Sequence, residues 1–454
     1  MLQRTSAKIL SLTLLLLAVG NAQAINKVYE YELKNGMKVL IQPDTRAPVV
    51  VSQVWYKVGS SSESSGITGV SHVLEHMMFK GTEAYPAGRF SAIIAENGGQ
   101  ENAFTGKDYT AYYQFLGKDR LEIAFKLEAD RMRNLTLPKE EFAKEVEVVK
   151  EERLMRTEDN PEALTYERFQ AVASLNGPYH HPVIGWMEDL NSLDVEDLKG
   201  WYDAWYQPNN ATLVVVGDVD PDATFALAQT YFGAFKAVDI PALKPRKETR
   251  QRGERRVFIH APAKVPYLII GYPAPVYRTA EVAWEPFALD VLAGILDGGA
   301  SSRLSSELVR KDEIASSASA GYSMTGMYQS LFMLDGTPTE AHTVKELEAA
   351  LEAQVEKLRT TLVSQAELDR IKAQVIASEV YQRDSVRHQA NQIGVMETVG
   401  IGWKFLDEYA KKIQAITAEQ VQEVAKKYLV DVHKTVAELI PEDIDKDHKE
   451  KPDA

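Results

Sequence analysis

The chain is written twice, and that constrains its fold more than any other feature. Leu137-Pro138-Lys139-Glu140-Glu141 and Val363-Ser364-Gln365-Ala366-Glu367 each close one long helical pattern and open another. Helices are predicted over 121–134 and 139–156, and again over 343–361 and 366–382, from apolar residues at helical spacing. Strand patterns precede each pair. Val28 to Leu33, Met37 to Ile41 and Val49 to Tyr56 open the first half, with the turn signal Lys34-Asn35-Gly36 between the first two. Val257 to His260 and Tyr267 to Tyr272 open the second. The repeat is far too long for a solenoid. It predicts an α+β protein of two homologous domains, each a mixed, mostly antiparallel sheet covered by helices on one side. The join is 236–255, with Pro241, Pro245 and a charged run, which reads as a linker. The expected domains are 25–235 and 256–442, followed by a charged, apolar-poor tail at 443–454.

Within the first half, a helix is expected near Ala87 to Glu96, ended by Asn97-Gly98-Gly99. Strands follow around Asn102 to Phe104 and Thr110 to Phe115, and Thr212 to Val216 closes the unit. Residues 1–24 read as a signal peptide. Arg4 and Lys8 precede a short apolar run from Ile9 to Val19, and Ala22-Gln23-Ala24 offers cleavage after Ala24. The expected location is the periplasm, with no membrane span in the mature chain; an uncleaved anchor is the alternative. A net charge of −14 argues against nucleic-acid and anionic-membrane partners. The chain has no cysteine, so a metal site must be built from histidine and carboxylates.

One stretch carries such chemistry: Ser71-His72-Val73-Leu74-Glu75-His76-Met77-Met78-Phe79. Val73, Leu74 and Met77 form an apolar stripe, so the segment reads as a helix. His72 and His76, four apart, leave the same face and can hold one Zn²⁺. Glu75 stays close and can take a proton from an attacking water instead of binding the metal. This is the inverted zinc-peptidase motif H-x-x-E-H. A catalytic zinc needs a third protein ligand. The acidic helix after Pro138 offers Glu145 and Glu152, seven apart and on one face.

These stretches resemble the pitrilysin family of inverted-motif zinc peptidases, which includes insulin-degrading enzyme and the mitochondrial processing peptidase. The likeness continues through Asn97-Gly98-Gly99-Gln100-Glu101-Asn102-Ala103-Phe104-Thr105, Tyr179-His180-His181-Pro182 and Trp205-Tyr206-Gln207-Pro208-Asn209-Asn210. It implies that Glu152, 76 positions after His76, is the third ligand of a single Zn²⁺, and that Glu145 supports the site. Glu151, the rival, points about 100° away on a helix. The resemblance also implies that Asn102, Ala103, Phe104 and Thr105 belong to an edge strand that pairs with substrate backbone. The second half keeps no such set. Aligning Leu74 with Leu292 sets Asp290, Ala293 and Gly294 against His72, Glu75 and His76, and aligning Glu141 with Glu367 sets Ser378 against Glu152.

The implied activity is a zinc endopeptidase acting on unfolded or short peptides; the alternative is a non-catalytic scaffold subunit. Active relatives usually carry an Arg and a Tyr seven apart, within Leu-Arg-x-Lys-x-x-Leu-x-Tyr, that hold the substrate carbonyl. Here Val309 and Ser316 occupy those places. A shift by one recovers Arg310 but meets Ser317, and Tyr322 lies too far along. The resemblance therefore implies a heterodimer with a homologous chain that lacks H-x-x-E-H and supplies the Arg–Tyr pair; a homodimer or monomer is the alternative.

Overall fold

The computed structural model describes residues 27–443 apart from Pro245. The expected signal peptide at 1–24, and all but the first residue of the expected tail at 443–454, lie outside the described residues.

The first half holds strands β1 (Tyr29–Glu32), β2 (Lys38–Pro43), β3 (Val49–Tyr56), β4 (Gln100–Thr105), β5 (Thr110–Gly117) and β6 (Ala211–Gly217). Its helices are α1 (Val70–Met77), α2 (Arg89–Glu96), α3 (Leu121–Asn134), α4 (Lys139–Arg153), α5 (Pro161–Ala173), α6 (Met187–Ser192), α7 (Val195–Trp205) and α8 (Pro221–Phe232). The sheet order is β1-β2-β6-β3-β5-β4. Every residue of β6 is buried, as befits its central place, parallel to β2 and antiparallel to β3. β4 lies at the edge, paired only with β5.

The second half holds β7 (Arg255–Pro262), β8 (Tyr267–Ala274), β9 (Ala315–Gly321), β10 (Ser330–Pro338) and β11 (Thr435–Glu442), in the order β7-β11-β8-β10-β9. Its helices are α9 (Glu285–Asp297), α10 (Val344–Thr360), α11 (Gln365–Gln382), α12 (Val386–Thr398), α13 (Phe405–Ala415) and α14 (Ala418–Tyr428). Between Phe232 and Arg255 the described residues form no helix or strand.

Each half builds its own core on one face of its sheet. Val39, Ile41, Val50, Val54 and Val215 pack under Leu74, Phe125 and Trp201. Ile270, Tyr272 and Leu334 pack under Leu292, Leu351 and Val424. The far faces are closed by exchange. Leu40, Val51, Trp55, Val214 and Val216 meet Ala390 and Ile393 of α12, from the second half. Ile259, Ile269, Ala437 and Leu439 meet Phe169 and Ala173 of α5, from the first. Successive strand residues point to opposite faces, so adjacent residues such as Val39 and Leu40 serve different cores. Both crossings need a glycine. A Cβ on Gly394 would lie 2.0 Å from the Trp55 ring, and one on Gly271 would lie 2.4 Å from the Phe169 ring. No helix among the described residues is long and apolar enough to cross a membrane.

Candidate metal centre

Helix α1 forms because Val70, Val73, Leu74 and Met77 are buried along one side. Its start is pinned by two carboxylates. Glu63, fully buried, accepts the backbone N–H groups of Gly69 (2.8 Å) and Ser71 (2.9 Å). Burial raises its pKa to about 7, against the pull of those two donors. Asp189 accepts from Gly66 N (3.1 Å), Thr68 N (3.2 Å) and Thr68 Oγ1 (2.5 Å). Gly69 takes φ 88°, and an added Cβ would lie 2.7 Å from the Ile184 carbonyl, so the loop can approach only without a side chain there.

The partly buried face of α1 presents His72 and His76, with ring centroids 4.9 Å apart. Helix α4 packs against α1 and brings Glu152 to both. Glu152 Oε2 lies 3.5 Å from His76 Nε2 and 3.9 Å from His72 Nε2. Among the described residues these three form the one group of donor atoms that could hold a metal, all within 4.8 Å of one another. Tetrahedral zinc with bonds of about 2.0–2.1 Å sets its donors about 3.3–3.4 Å apart, so the spacing and the donor types fit that ion. Burial, then the neighbouring His76 and Arg156, pushes the His72 pKa down to about 3, which favours the neutral imidazole a metal requires. His72 Nδ1 is buried without a hydrogen-bond partner.

Glu75 turns from this group towards the sheet and accepts from Thr105 Oγ1 (2.5 Å). Burial raises the Glu75 pKa, while the Thr105 hydroxyl holds it down. Glu145 Oε2 lies 3.3 Å from His76 Nδ1. Glu151 is exposed and stands outside the group. Asn102, Ala103, Phe104 and Thr105 all fall on the edge strand β4, where Ala103 N donates to Asn102 Oδ1 (2.8 Å). The structure thus brings His72, His76, Glu152, Glu145, Glu75 and Thr105 to one place, with Asn102 to Phe104 running away along the edge.

Three residues near the centre escaped the sequence reading. Lys80 binds Glu145, Arg156 binds Glu152, and Glu63 holds the helix start. Arg156 carried a signal, since it lies four residues after Glu152 on the expected helix, whereas Lys80 lies past the end of α1 at Met77. Glu63 sits in a serine-rich loop and carried none.

The second copy is filled in. An added Cβ on Gly294 would lie 2.8 Å from Ile371, and Asp290 accepts from Tyr409 OH (2.5 Å). At the places expected for an Arg–Tyr pair, Val309 packs against the second core and Ser316 Oγ donates to Thr337 O (3.1 Å). Arg310 and Tyr322 are committed to the carbonyls of Ala300 and Pro275. A cavity of about 840 Å³ lies at the seam of the halves, lined by Lys107, Tyr179, Tyr328 and others, and none of the donors lines it.

A duplicated α+β chain whose first half alone carries an H-x-x-E-H helix and a facing glutamate has the architecture of the pitrilysin-like peptidases. Sequence comparison agrees. The Insulinase family (peptidase family M16) matches residues 38–185, and the peptidase M16 inactive domain matches residues 192–375. The zinc protease PqqE of Helicobacter pylori is 32% identical over 413 residues, 90% of this chain and 92% of that protein. The uncharacterized zinc protease YmxG of Bacillus subtilis is 27% identical over 407 residues, 88% of this chain and 95% of that one. The chain therefore belongs to peptidase family M16. Among solved structures, a protease from Helicobacter pylori superposes with a TM-score of 0.86 at 32% identity, over 92% of this chain and all of that one. The periplasmic protease PqqL from Escherichia coli gives 0.77 at 19% identity, over 94% of this chain but 49% of that one, a likeness of fold.

Proposed function

We propose that this chain is a zinc-dependent endopeptidase acting on unfolded or short peptides, and the catalytic subunit of a heterodimer. The observation that carries the reading is the convergence of His72 Nε2, His76 Nε2 and Glu152 Oε2 from two helices. The named relatives PqqE and YmxG support zinc and proteolysis here. One Zn²⁺ held by these three residues supplies Lewis-acid polarisation of a carbonyl and a water acidic enough to attack it near neutral pH.

The protein's own groups do the rest. Glu75, as the carboxylate, accepts a proton from the attacking water at Oε1 or Oε2 and returns it to the leaving amine. Thr105 Oγ1 holds Glu75 Oε2, fixing that carboxylate against β4. Glu145 keeps His76 in one orientation through Nδ1. Strand β4 offers its open edge to an extended peptide, which would displace the Asn102 side chain from Ala103 N. An edge strand selects backbone over side chains, and folded proteins expose little of it.

Val309 and Ser316 leave the carbonyl-holding half of the site unfilled, and this favours a partner of the same fold carrying the Arg and Tyr. PqqL, of which this chain's length matches about half, supports two such units working together. We place the mature chain in the periplasm, after cleavage at Ala24, with domains at 25–235 and 256–442. The test is zinc content followed by cleavage of a quenched peptide. Glu75→Gln should keep about one zinc and lose activity, and Glu152→Gln should lose far more zinc than Glu151→Gln. The isolated chain should turn over slowly and gain from its partner. Equal zinc loss in the two α4 variants would sink the ligand set, and full activity without a partner would sink the heterodimer.

A further inference from the structure

Two carboxylates serve the candidate metal centre, and each divides its oxygens in the same way. Glu145 gives Oε2 to His76 Nδ1 (3.3 Å) and Oε1 to Lys80 Nζ (2.5 Å). Glu152 gives Oε2 to the two imidazole Nε2 atoms and Oε1 to Arg156 Nη1 (2.5 Å). A glutamate alone can rotate its carboxylate about the last side-chain torsion, which is broad and roughly two-fold. A charge-assisted bond on one oxygen removes that freedom and leaves the other oxygen aimed.

The duplication supplies a control within the same chain. The alignment that pairs Leu74 with Leu292 sets Gly298 against Lys80, and the one that pairs Glu141 with Glu367 sets Ile371 against Glu145 and Gln382 against Arg156. In the copy without donors, Cβ atoms added at Gly294 and Gly298 would lie 2.8 and 3.0 Å from Ile371, so Ile371 packs close to both glycines where the first copy has the Lys80–Glu145–His76 arrangement. In the same copy Gln382 Nε2 donates to Ser378 Oγ (2.9 Å), a neutral version of the Arg156–Glu152 pair. Both cations are missing where the metal donors are missing. Stability does not explain Arg156: its side chain is 72% exposed, and exposed ion pairs contribute only about 0–1 kcal/mol.

We propose that Lys80 and Arg156 are positioning residues of the metal centre, Lys80 acting through Glu145 on His76 and Arg156 acting directly on Glu152. The proposal rests on the zinc reading above, and it places the effect in metal affinity. The experiment is chelator competition for Zn²⁺ on the metal-stripped full chain, with thermal melting of the same metal-free samples. Lys80→Met and Arg156→Met should each weaken zinc binding about 10–100-fold, and Arg156→Met should leave metal-free melting unchanged. Lys80→Arg should restore most of the affinity, because a guanidinium can still bond Glu145. In a Glu145→Gln background, Lys80→Met should change affinity less than about two-fold, since its route to His76 is already cut. If Lys80→Met fails to fold, Lys80→Gln carries the same comparison. Affinity in both single variants that equals or exceeds the parent overturns the proposal while the zinc reading stands. Failure of the parent chain to bind zinc, or full affinity in Glu152→Gln, overturns the zinc reading itself.

Discussion

Two glycines inside helices give opposite predictions for the same substitution. Gly394 lies in α12 against Trp55, and an added Cβ would meet ring atoms at 2.0, 2.3 and 2.5 Å. Trp55 has no accessible surface, and its Nε1 is held by Gln53 Oε1 (2.9 Å), so the ring cannot swing away. Gly200 lies in α7 with nothing within 4 Å of the corresponding point. Alanine in a helix interior is worth about 0.8–1.0 kcal/mol over glycine. Gly200→Ala should gain about that much. Gly394→Ala gains the same helix term but overpacks a closed contact, which typically costs about 1–3 kcal/mol, and a rigid indole puts it at the upper end. The net is a loss of about 2 kcal/mol. Urea unfolding followed by tryptophan emission reads both, and Trp55 sits at the perturbed contact. Gly394→Ala should lower the midpoint and Gly200→Ala should raise it. A Gly394→Ala chain as stable as Gly200→Ala would show that α12 does not press on the first sheet, and the account of the exchanged helices would fail.

The remaining predictions concern buried charge. Glu63 has a pKa raised from 4.5 to about 7, so its contribution is full below about pH 4.5 and lost as pH rises through 7. The span corresponds to about 3 kcal/mol at most; Glu63→Gln should remove that part of the pH dependence between pH 5 and 8, and parallel stability curves for the two proteins would refute the assignment. Arg153 is buried between Glu167 (2.6 and 2.9 Å) and the Gly185 carbonyl (2.9 Å). Arg153→Met should cost about 3–5 kcal/mol by stranding Glu167, and adding Glu167→Leu should recover much of it; a double variant no more stable than the single one would argue against a stranded charge.

What was legible in the sequence was local or carried by exact spacing. The long helices showed because Val146 and Val149, or Leu347 and Leu351, recur at helical period over several turns. His72 and His76 stood out because residues four apart share a helical face, and Glu145 and Glu152 because residues seven apart do; the choice of Glu152 as third ligand came from the family resemblance. Strand order did not show. β6 inserts between β2 and β3, and the pairing partners of a strand are set by contacts far away in sequence. β3 reads Val-Val-Val-Ser-Gln-Val-Trp-Tyr without alternation because both of its faces are buried, one under the first half's helices and one under α12. Helix α4 was expected to run to 156, but after Arg153 the backbone widens into a π-helical turn at Leu154–Glu158, which no side-chain pattern announces.

The exchanged helices also explain why a second copy without the candidate metal donors is no passenger. Gly394 of α12 presses on Trp55, and Trp55 packs edge-on against Phe104 and Tyr109 at 5.2 Å each. Phe104 precedes Thr105, whose hydroxyl holds Glu75. An unbroken run of contacts therefore joins the second half to the edge strand and to the carboxylate beside the donors. The second copy has exchanged His76 and Glu145 for Gly294 and Ile371 at no cost to this arrangement, because what the first sheet requires of it is the apolar face of α12. That requirement is one of shape, met by Ala390, Ile393 and a glycine, and it is independent of whether α9 and α11 carry ligands. The two copies are thus free to differ at the centre and bound to agree at the crossing, which is where the fold's symmetry persists.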